Sequence, residues 1–167
     1  MRVNKIYYFI LISAIILGCK KPADRECWKS NGDITNIEII NNKAVNNIHS
    51  YDKIDVVVIQ NDEESRIEIE GPENLINFIS TDINNNILTI QDENKCGFLR
   101  KNHKNIKVTF YGNAIKEFHN FGTGNININQ TNTAIDFFCE LESSSDIRIS
   151  VDQGNIGIIQ DLSLIHI

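Results

Sequence analysis

The feature that most limits what this chain can fold into is an internal echo. Ala114 to Asn129 (AIKEFHNFGTGNININ) and Ala134 to Ser150 (AIDFFCELESSSDIRIS) carry apolar residues in the same order. Ile115, Phe118 and Phe121 recur 20 positions later as Ile135, Phe138 and Leu141, and Ile126 and Ile128 recur 21 positions later as Ile147 and Ile149. Polar turn residues, Gly122 to Asn125 and Ser143 to Asp146, separate the apolar clusters. Each unit has two strand-length segments and cannot bury an apolar face alone, so the units must stack. Asn155 to Ile159 (NIGII) starts a third. The pattern predicts an all-β chain, a β-solenoid with Ile/Phe ladders inside and Asn/Ser ladders outside. The alternative is a β-sandwich with evenly spaced strands.

Composition agrees with many short strands and many turns. The chain has 31 Ile and 23 Asn among 167 residues. Ile stabilises strands, and Asn tolerates the left-handed backbone of turns. Only 9 Gly and 2 Pro exclude collagen-like and Pro/Gly-rich disordered classes. Against 16 Lys and Arg stand 22 Asp and Glu, a net charge of −6, which argues against nucleic acid as a partner.

Period-2 alternation begins at Ile34. Ile54 to Gln60 and Ser65 to Glu70 flank Asn61-Asp62-Glu63-Glu64 and read as a β-hairpin. After Gly71-Pro72, Glu73 to Ile79 fits one helical turn with Leu75, Ile76 and Ile79 inward. Thr81 to Ile83 and Ile87 to Gln91 flank an Asn84-Asn85-Asn86 turn, and Ile106 to Tyr111 is a further strand. No helix of ordinary length is expected.

The N-terminus reads as an address. Arg2 and Lys5 precede an apolar run, Ile6 to Leu17, that is short for a membrane span and suited to a signal peptide. The run closes on Leu17-Gly18-Cys19, which resembles the lipobox of bacterial lipoproteins. That resemblance implies cleavage after residue 18, lipidation of Cys19 and attachment to a membrane through its acyl chains. Residues 1–18 are then a signal peptide, 19–33 a polar tether and 34–161 the β-body. Lys20, rather than Asp, follows the modified Cys, which in some bacteria favours the outer membrane; the leaflet is open. Residues 162–167 (LSLIHI) are apolar where a solenoid end wants a polar cap, and read as a truncated or foreign tail.

Export allows disulfides. Cys27 and Cys96 sit in polar, turn-like settings and form the best pair; three free thiols are the alternative. Cys139, within IDFFCEL, reads as a small core hydrophobe. There is no C-x-x-C or Cys/His cluster, so no metal site and no cofactor are expected. His49, His103, His119 and His166 are scattered, and His119 reads as a surface or turn residue. Gly122-Thr123-Gly124 lacks the rest of a nucleotide-binding loop. Asp62-Glu63-Glu64, Asp92-Glu93 and the basic Arg100-Lys101-His103-Lys104 stretch read as solvated loops. No catalytic residue is expected.

In order, several segments resemble the head GIN domain family of auto-transporter adhesins, a domain of unknown function common in Bacteroidetes lipoproteins. They are Ile54 to Gln60, Ile67-Glu68-Ile69-Glu70-Gly71, Glu73-Asn74-Leu75-Ile76, Ile79 to Ile83, Leu88-Thr89-Ile90 and Ile106 to Thr109. The turns Gly122-Thr123-Gly124-Asn125-Ile126 and Ser143-Ser144-Ser145-Asp146-Ile147 complete the set. The resemblance implies a right-handed parallel β-helix begun by antiparallel strands, with no catalytic residues to carry over. A subgroup with Cys at both places supports the Cys27–Cys96 bridge. Polar Asn/Ser/Thr ladders on a rigid face offer regular donors and acceptors, and read as a non-catalytic, adhesin-like binding module that meets an envelope glycan or protein. The expected binding surface is Asn125, Asn127, Asn129, Ser143, Ser144 and Ser145. The alternatives are a structural envelope protein without a dedicated ligand and a polysaccharide-active enzyme.

Overall fold

Alternating β-branched and polar residues build twelve short strands in the computed structural model, which describes residues 30–61, 63–94, 106–130, 137–142, 145–151 and 156–160. All the described strands lie within the unit Asn31–Ile167. The early strands are β1 (Ile34–Ile40), β2 (Asn47–Ser50), β3 (Ile54–Gln60) and β4 (Arg66–Pro72). A single helical turn, α1 (Glu73–Ile76), leads to β5 (Ile79–Asn84) and β6 (Ile87–Asp92). Then come β7 (Ile106–Gly112), β8 (Glu117–Asn120), β9 (Ile126–Gln130), β10 (Phe137–Leu141), β11 (Ile147–Val151) and β12 (Ile156–Gln160).

These strands form two mixed six-stranded sheets, ordered β1-β4-β7-β3-β9-β11 and β12-β10-β8-β2-β6-β5. The first is parallel from β7 to β11 and antiparallel where β4 meets β1 and β7. The second is parallel from β12 to β6 and antiparallel at β5–β6. From β7 onward, successive strands alternate between the two sheets.

One core fills the space between inward faces. In the first sheet Val108, Val56, Ile126 and Ile147 make one inward row, and Phe110, Val58, Ile128 and Ile149 the next. In the second sheet the matching row is Leu88, Ile48, Phe118 and Cys139, all fully buried. Each fully buried Ile, Leu or Phe in such a row contributes about 1.5–3 kcal/mol. These inward rows are apolar throughout, as expected, but mix Val, Ile, Leu, Phe and Cys rather than repeating Ile and Phe.

Local expectations hold where geometry is set locally. Leu75 and Ile76 of α1 and Ile79 of β5 are buried as expected. Asn85 and Asn86 take left-handed backbone, φ 51° and 63°, and close the β5–β6 hairpin. Asn tolerates that region where a β-branched residue would not.

Three expectations need correction. First, β3 and β4 are not a hairpin: β7 lies between them, parallel to β3 and antiparallel to β4. Alternation fixes which face of a strand is buried but not which strand is its neighbour. Here the inward Val108 and Phe110 of β7 fill the row between them.

Second, the repeat offset is 21 for both β8–β10 and β9–β11, and 19 from β10 to β12, where Cys139 pairs with Ile158. Phe118 stands opposite Cys139, and Glu117 opposite Phe138. A slip of one residue exchanges the two faces of a strand. Cys139 is thus the core residue, as expected of it singly, while Phe138 is half-buried on the outward side.

Third, the outward rows of the first sheet are not Asn/Ser ladders. One runs Thr109, Val57, Asn127, Arg148, and the next Tyr111, Ile59, Asn129, Ser150. The inward position demands an apolar residue on every strand, whereas the wet side tolerates any residue that suits its neighbours.

Candidate functional site

The outward side of the first sheet holds an open groove of about 330 Å³. Its floor is Val57 of β3 and Asn127 of β9, and Arg148 of β11 stands at the far side. Along the other side lie Lys107, Asp55, Asn125 and Asp146. Strand alternation puts these residues outward, because Val56 and Ile126 between them are buried. Asp55 fixes the groove's corner by accepting the Asn125 backbone N–H at 2.8 Å. Lys107 is ion-paired with Glu70, whose hydrogen bond is the main cause holding the ammonium above its usual range. The groove therefore offers opposite charges and two amides around a lining that is more apolar than polar. Such a surface suits a ligand with both polar and apolar faces.

Beyond this groove, Arg66 lies over the Tyr111 ring at 3.9 Å and bonds Glu68, whose other oxygen accepts the Tyr111 hydroxyl at 3.2 Å. That cluster stiffens the β4–β7 side of the same sheet.

The residues expected to bind fall into different settings. Asn125, Asn127 and Asn129 are exposed and outward on or beside β9, and Asn125 and Asn127 line the groove. Ser145 belongs to a turn instead. Its hydroxyl donates to the Gly122 carbonyl at 3.1 Å and accepts from the Asn120 amide at 2.8 Å. Ser143 and Ser144 lie outside the described residues, as do Cys19, Cys27 and Cys96. Cys139 is a free, buried thiol. The Arg100–Lys104 stretch and Asp62 also lie outside the described residues.

Gly122-Thr123-Gly124 has a steric role. This turn sits directly on the corner between β2 and β3, with the Thr123 N–H donating to the Asp52 carbonyl at 2.8 Å. A Cβ on Gly122 would stand 1.8 Å from the Asp52 carbonyl oxygen, and one on Gly124 1.7 Å from that of Ile54. Only glycine lets the two backbones approach this closely.

A second cluster on the outward side of the second sheet was not expected from sequence. His49 of β2 and His119 of β8 share a rung, their ring centroids 4.9 Å apart and nearly perpendicular. His119 is therefore a half-buried strand residue, not a turn residue. Its Nδ1 lies 2.9 Å from Glu140 Oε2 and its Nε2 3.7 Å from Glu117 Oε2. Asn47 donates to the same Glu117 oxygen at 2.7 Å. Burial, then the neighbouring His119, lower the His49 pKa from 6.5, and Glu117 opposes them. Tyr51 and Phe121 stack beside this pair, 4.8 Å apart and 17° from parallel. The missing signal is the β2–β8 pairing, which joins residues 70 apart in sequence.

The fold thus defines a class: an all-β protein whose later strands alternate between two mixed sheets around one core. The sequence matches the family described as "Putative auto-transporter adhesin, head GIN domain" over residues 44–161, and the chain belongs to that family. Among solved structures, a putative adhesin from Parabacteroides distasonis is similar, with a TM-score of 0.63 at 17% identity over 76% of this chain and 53% of its own. A putative adhesin from Bacteroides fragilis gives 0.57 at 16% identity, over 74% of this chain and 55% of its own. A putative lipid binding protein from P. distasonis gives 0.51 at 19% identity, over 78% of this chain and 61% of its own. At such identities the likeness is one of fold. The chain spans 53% to 61% of the length of these structures. No curated protein matches the sequence significantly.

Proposed function

We propose that this chain is an exported, lipid-anchored, non-catalytic binding module of the cell envelope. Its body is read as a short right-handed parallel β-solenoid begun by antiparallel strands. Supporting that reading, β8 to β12 alternate between sheets, and both parallel ladders repeat at the 21-residue offset of β8–β10 and β9–β11. Parallel crossover connections are right-handed in nearly all proteins. Residues 1–18 serve as signal peptide, Cys19 as the lipidated residue and 19–33 as tether. Cys27 and Cys96 are proposed as a disulfide, and the anchored chain as an outer-membrane protein.

The observation that carries the binding reading is the open groove across β3, β9 and β11, with Asn125, Asn127 and Arg148 on its lining. Asn129 extends the same exposed side. The family description and the printed names of similar structures support adhesion or ligand binding over catalysis. The ligand class is an envelope glycan or protein.

Two measurements test this. Radiolabelled palmitate should enter the wild-type chain in its bacterial host and not Cys19→Ser; labelling of the variant would refute the anchor. The purified full chain should bind glycans or whole cells on an array, and Arg148→Ala with Asn127→Ala should weaken binding about tenfold, equivalent to about 1.4 kcal/mol. Unchanged binding would move the ligand off this groove, and no binding at all would favour a structural envelope protein.

A further inference from the structure

Among the described strands, β11 ends the first sheet, and its outer side is an open edge. The Ile126 N–H donates to the Asp146 carbonyl at 2.9 Å, which fixes which backbone groups of β11 are already occupied. Successive residues of a strand turn their N–H and C=O to opposite sides. Asp146 and Arg148 therefore bond toward β9, and Ile147 and Ile149 turn their backbone groups to the open edge. The side chains divide by sheet face. Ile147 and Ile149 pack partly on the core, whereas Asp146 and Arg148 are exposed on the outward side. Among the described residues, neither the Asp146 carboxylate nor the Arg148 guanidinium has a hydrogen bond or an ion pair.

We propose that this edge is the docking surface for a second copy of the chain, with β11 antiparallel to the partner's β11 about a two-fold axis at Ile147. The strand is complementary to itself in that register. Ile147 faces the partner's Ile147, and the two exchange both N–H···O bonds, as their edge-facing backbone groups allow. Asp146 stands opposite the partner's Arg148, and Arg148 opposite the partner's Asp146. Both are non-hydrogen-bonded positions, where Cα atoms lie about 4.5 Å apart and facing side chains come closest. Neighbouring registers lose these ion pairs. An axis at Arg148 sets Arg148 against its own copy, and an axis at Ile149 sets it against Ser150. On the inward face the two Ile147 side chains meet, so the row Val108, Val56, Ile126, Ile147 continues past the edge. On the outward face the partner's Asp146 and Arg148 extend the groove lining, and the groove of one copy runs into that of the other. A strand contact this short falls in the weak, reversible class of interface.

The dimer shares two residues with the groove of the binding reading but needs no ligand, so the two can fail separately. Sedimentation equilibrium is run on the full chain in micelles of pentaethylene glycol octyl ether, whose density matches the buffer. Every sample carries Ile158→Lys and Ile159→Lys, which removes the β12 edge from the comparison. The parent should equilibrate between monomer and dimer. Asp146→Arg alone, or Arg148→Asp alone, sets like charges opposite each other at both places and should raise the dimer Kd about tenfold or more. An equimolar mixture of these two single variants should regain the dimer, because each then meets its complement. The exchange of both residues in one chain should regain it as well. A parent that stays monomeric, single variants that dimerise as the parent does, or a mixture no more dimeric than its components would each overturn the contact. Asn127→Ala lies off the axis and separates the readings. Lost glycan binding with the dimer intact leaves both standing, whereas glycan binding by a parent that never dimerises removes this inference alone.

Discussion

At the residue scale, stability depends on places where no larger side chain fits. Gly124→Ala puts a methyl group 1.7 Å from the backbone oxygen of Ile54, and neither backbone can move without parting β3 from β9. Overpacking of this kind costs about 1–3 kcal/mol or more. Gly157→Ala meets nothing nearer than a Phe138 ring carbon at 3.5 Å and should be nearly silent. Urea midpoints of the two variants test this; equal midpoints would refute the steric role. Cys139 gives a second prediction. Burial pushes its thiol from 9.0 up to about 12, because the core offers the thiolate no water. In the unfolded chain the thiol ionises near its ordinary 9.0, so unfolding is favoured as pH rises. The native state keeps its full stability below about pH 9 and loses it progressively toward pH 12. Cys139→Ala should be less stable at neutral pH yet lose less over that interval. Denaturant titrations of both proteins from pH 7 upward measure the difference between the curves, and parallel curves would show that Cys139 does not contribute. A thiol reagent should leave native Cys139 unmodified and label it on unfolding.

At the element scale, the register of the β8–β10 ladder decides which phenylalanine matters. Phe118 is fully buried opposite Cys139, whereas Phe138 is half-buried on the outward side, against the His119 ring. Phe118→Ala should therefore cost about 3–5 kcal/mol. Phe138→Ala should cost about 1 kcal/mol, since only a partial contact with its ring neighbour is lost. Similar losses for both would mean the 20-residue alignment was right. Strand identity was legible because Ile, Val and Phe at alternate positions can bury only one face, as in Val56, Val58, Ile126 and Ile128. The β5–β6 turn was legible because three consecutive Asn can adopt left-handed backbone locally. The repeat offset was half legible. Ile126 to Ile147 has only one good match, but Phe137 and Phe138 give the eye two phenylalanines, and only Cys139 in the buried row separates them. Pairing over long sequence separations was not legible at all. Nothing in the alternation of β3 or β4 says that β7 comes between them, or that His49 meets His119. The groove shared that fate. Asn125 and Asn127 could be read as outward, but Lys107, Asp55 and Arg148 reach it through pairings between distant strands.

At the scale of the whole molecule, the two sheets differ from a closed barrel by keeping edges. Among the described strands, β1 and β11 flank the first sheet and β12 and β5 flank the second. An edge strand exposes a row of unpaired N–H and C=O groups, and proteins usually blunt it with charge. The β12 edge carries none on its exposed segment: Gly157, Ile158 and Ile159 are solvent-facing, with Ile158 at 53% and Ile159 at 51% exposure. Ile158 occupies the register position next to Cys139, where the core row would continue if a further strand covered it. Apolar side chains combined with an open ladder favour pairing with another copy more than either does alone. The net charge of −6 provides some repulsion, but salt screens it over about 8–10 Å near physiological ionic strength. The purified chain should therefore self-associate, and more strongly as salt is added. Ile158→Lys and Ile159→Lys together should shift it toward monomer without altering the far-ultraviolet spectrum, because neither side chain is part of the buried core. Sedimentation velocity at two salt concentrations reads the outcome. A wild-type chain that stays monomeric at high salt, or a double variant that associates as strongly, would show that this edge is already protected.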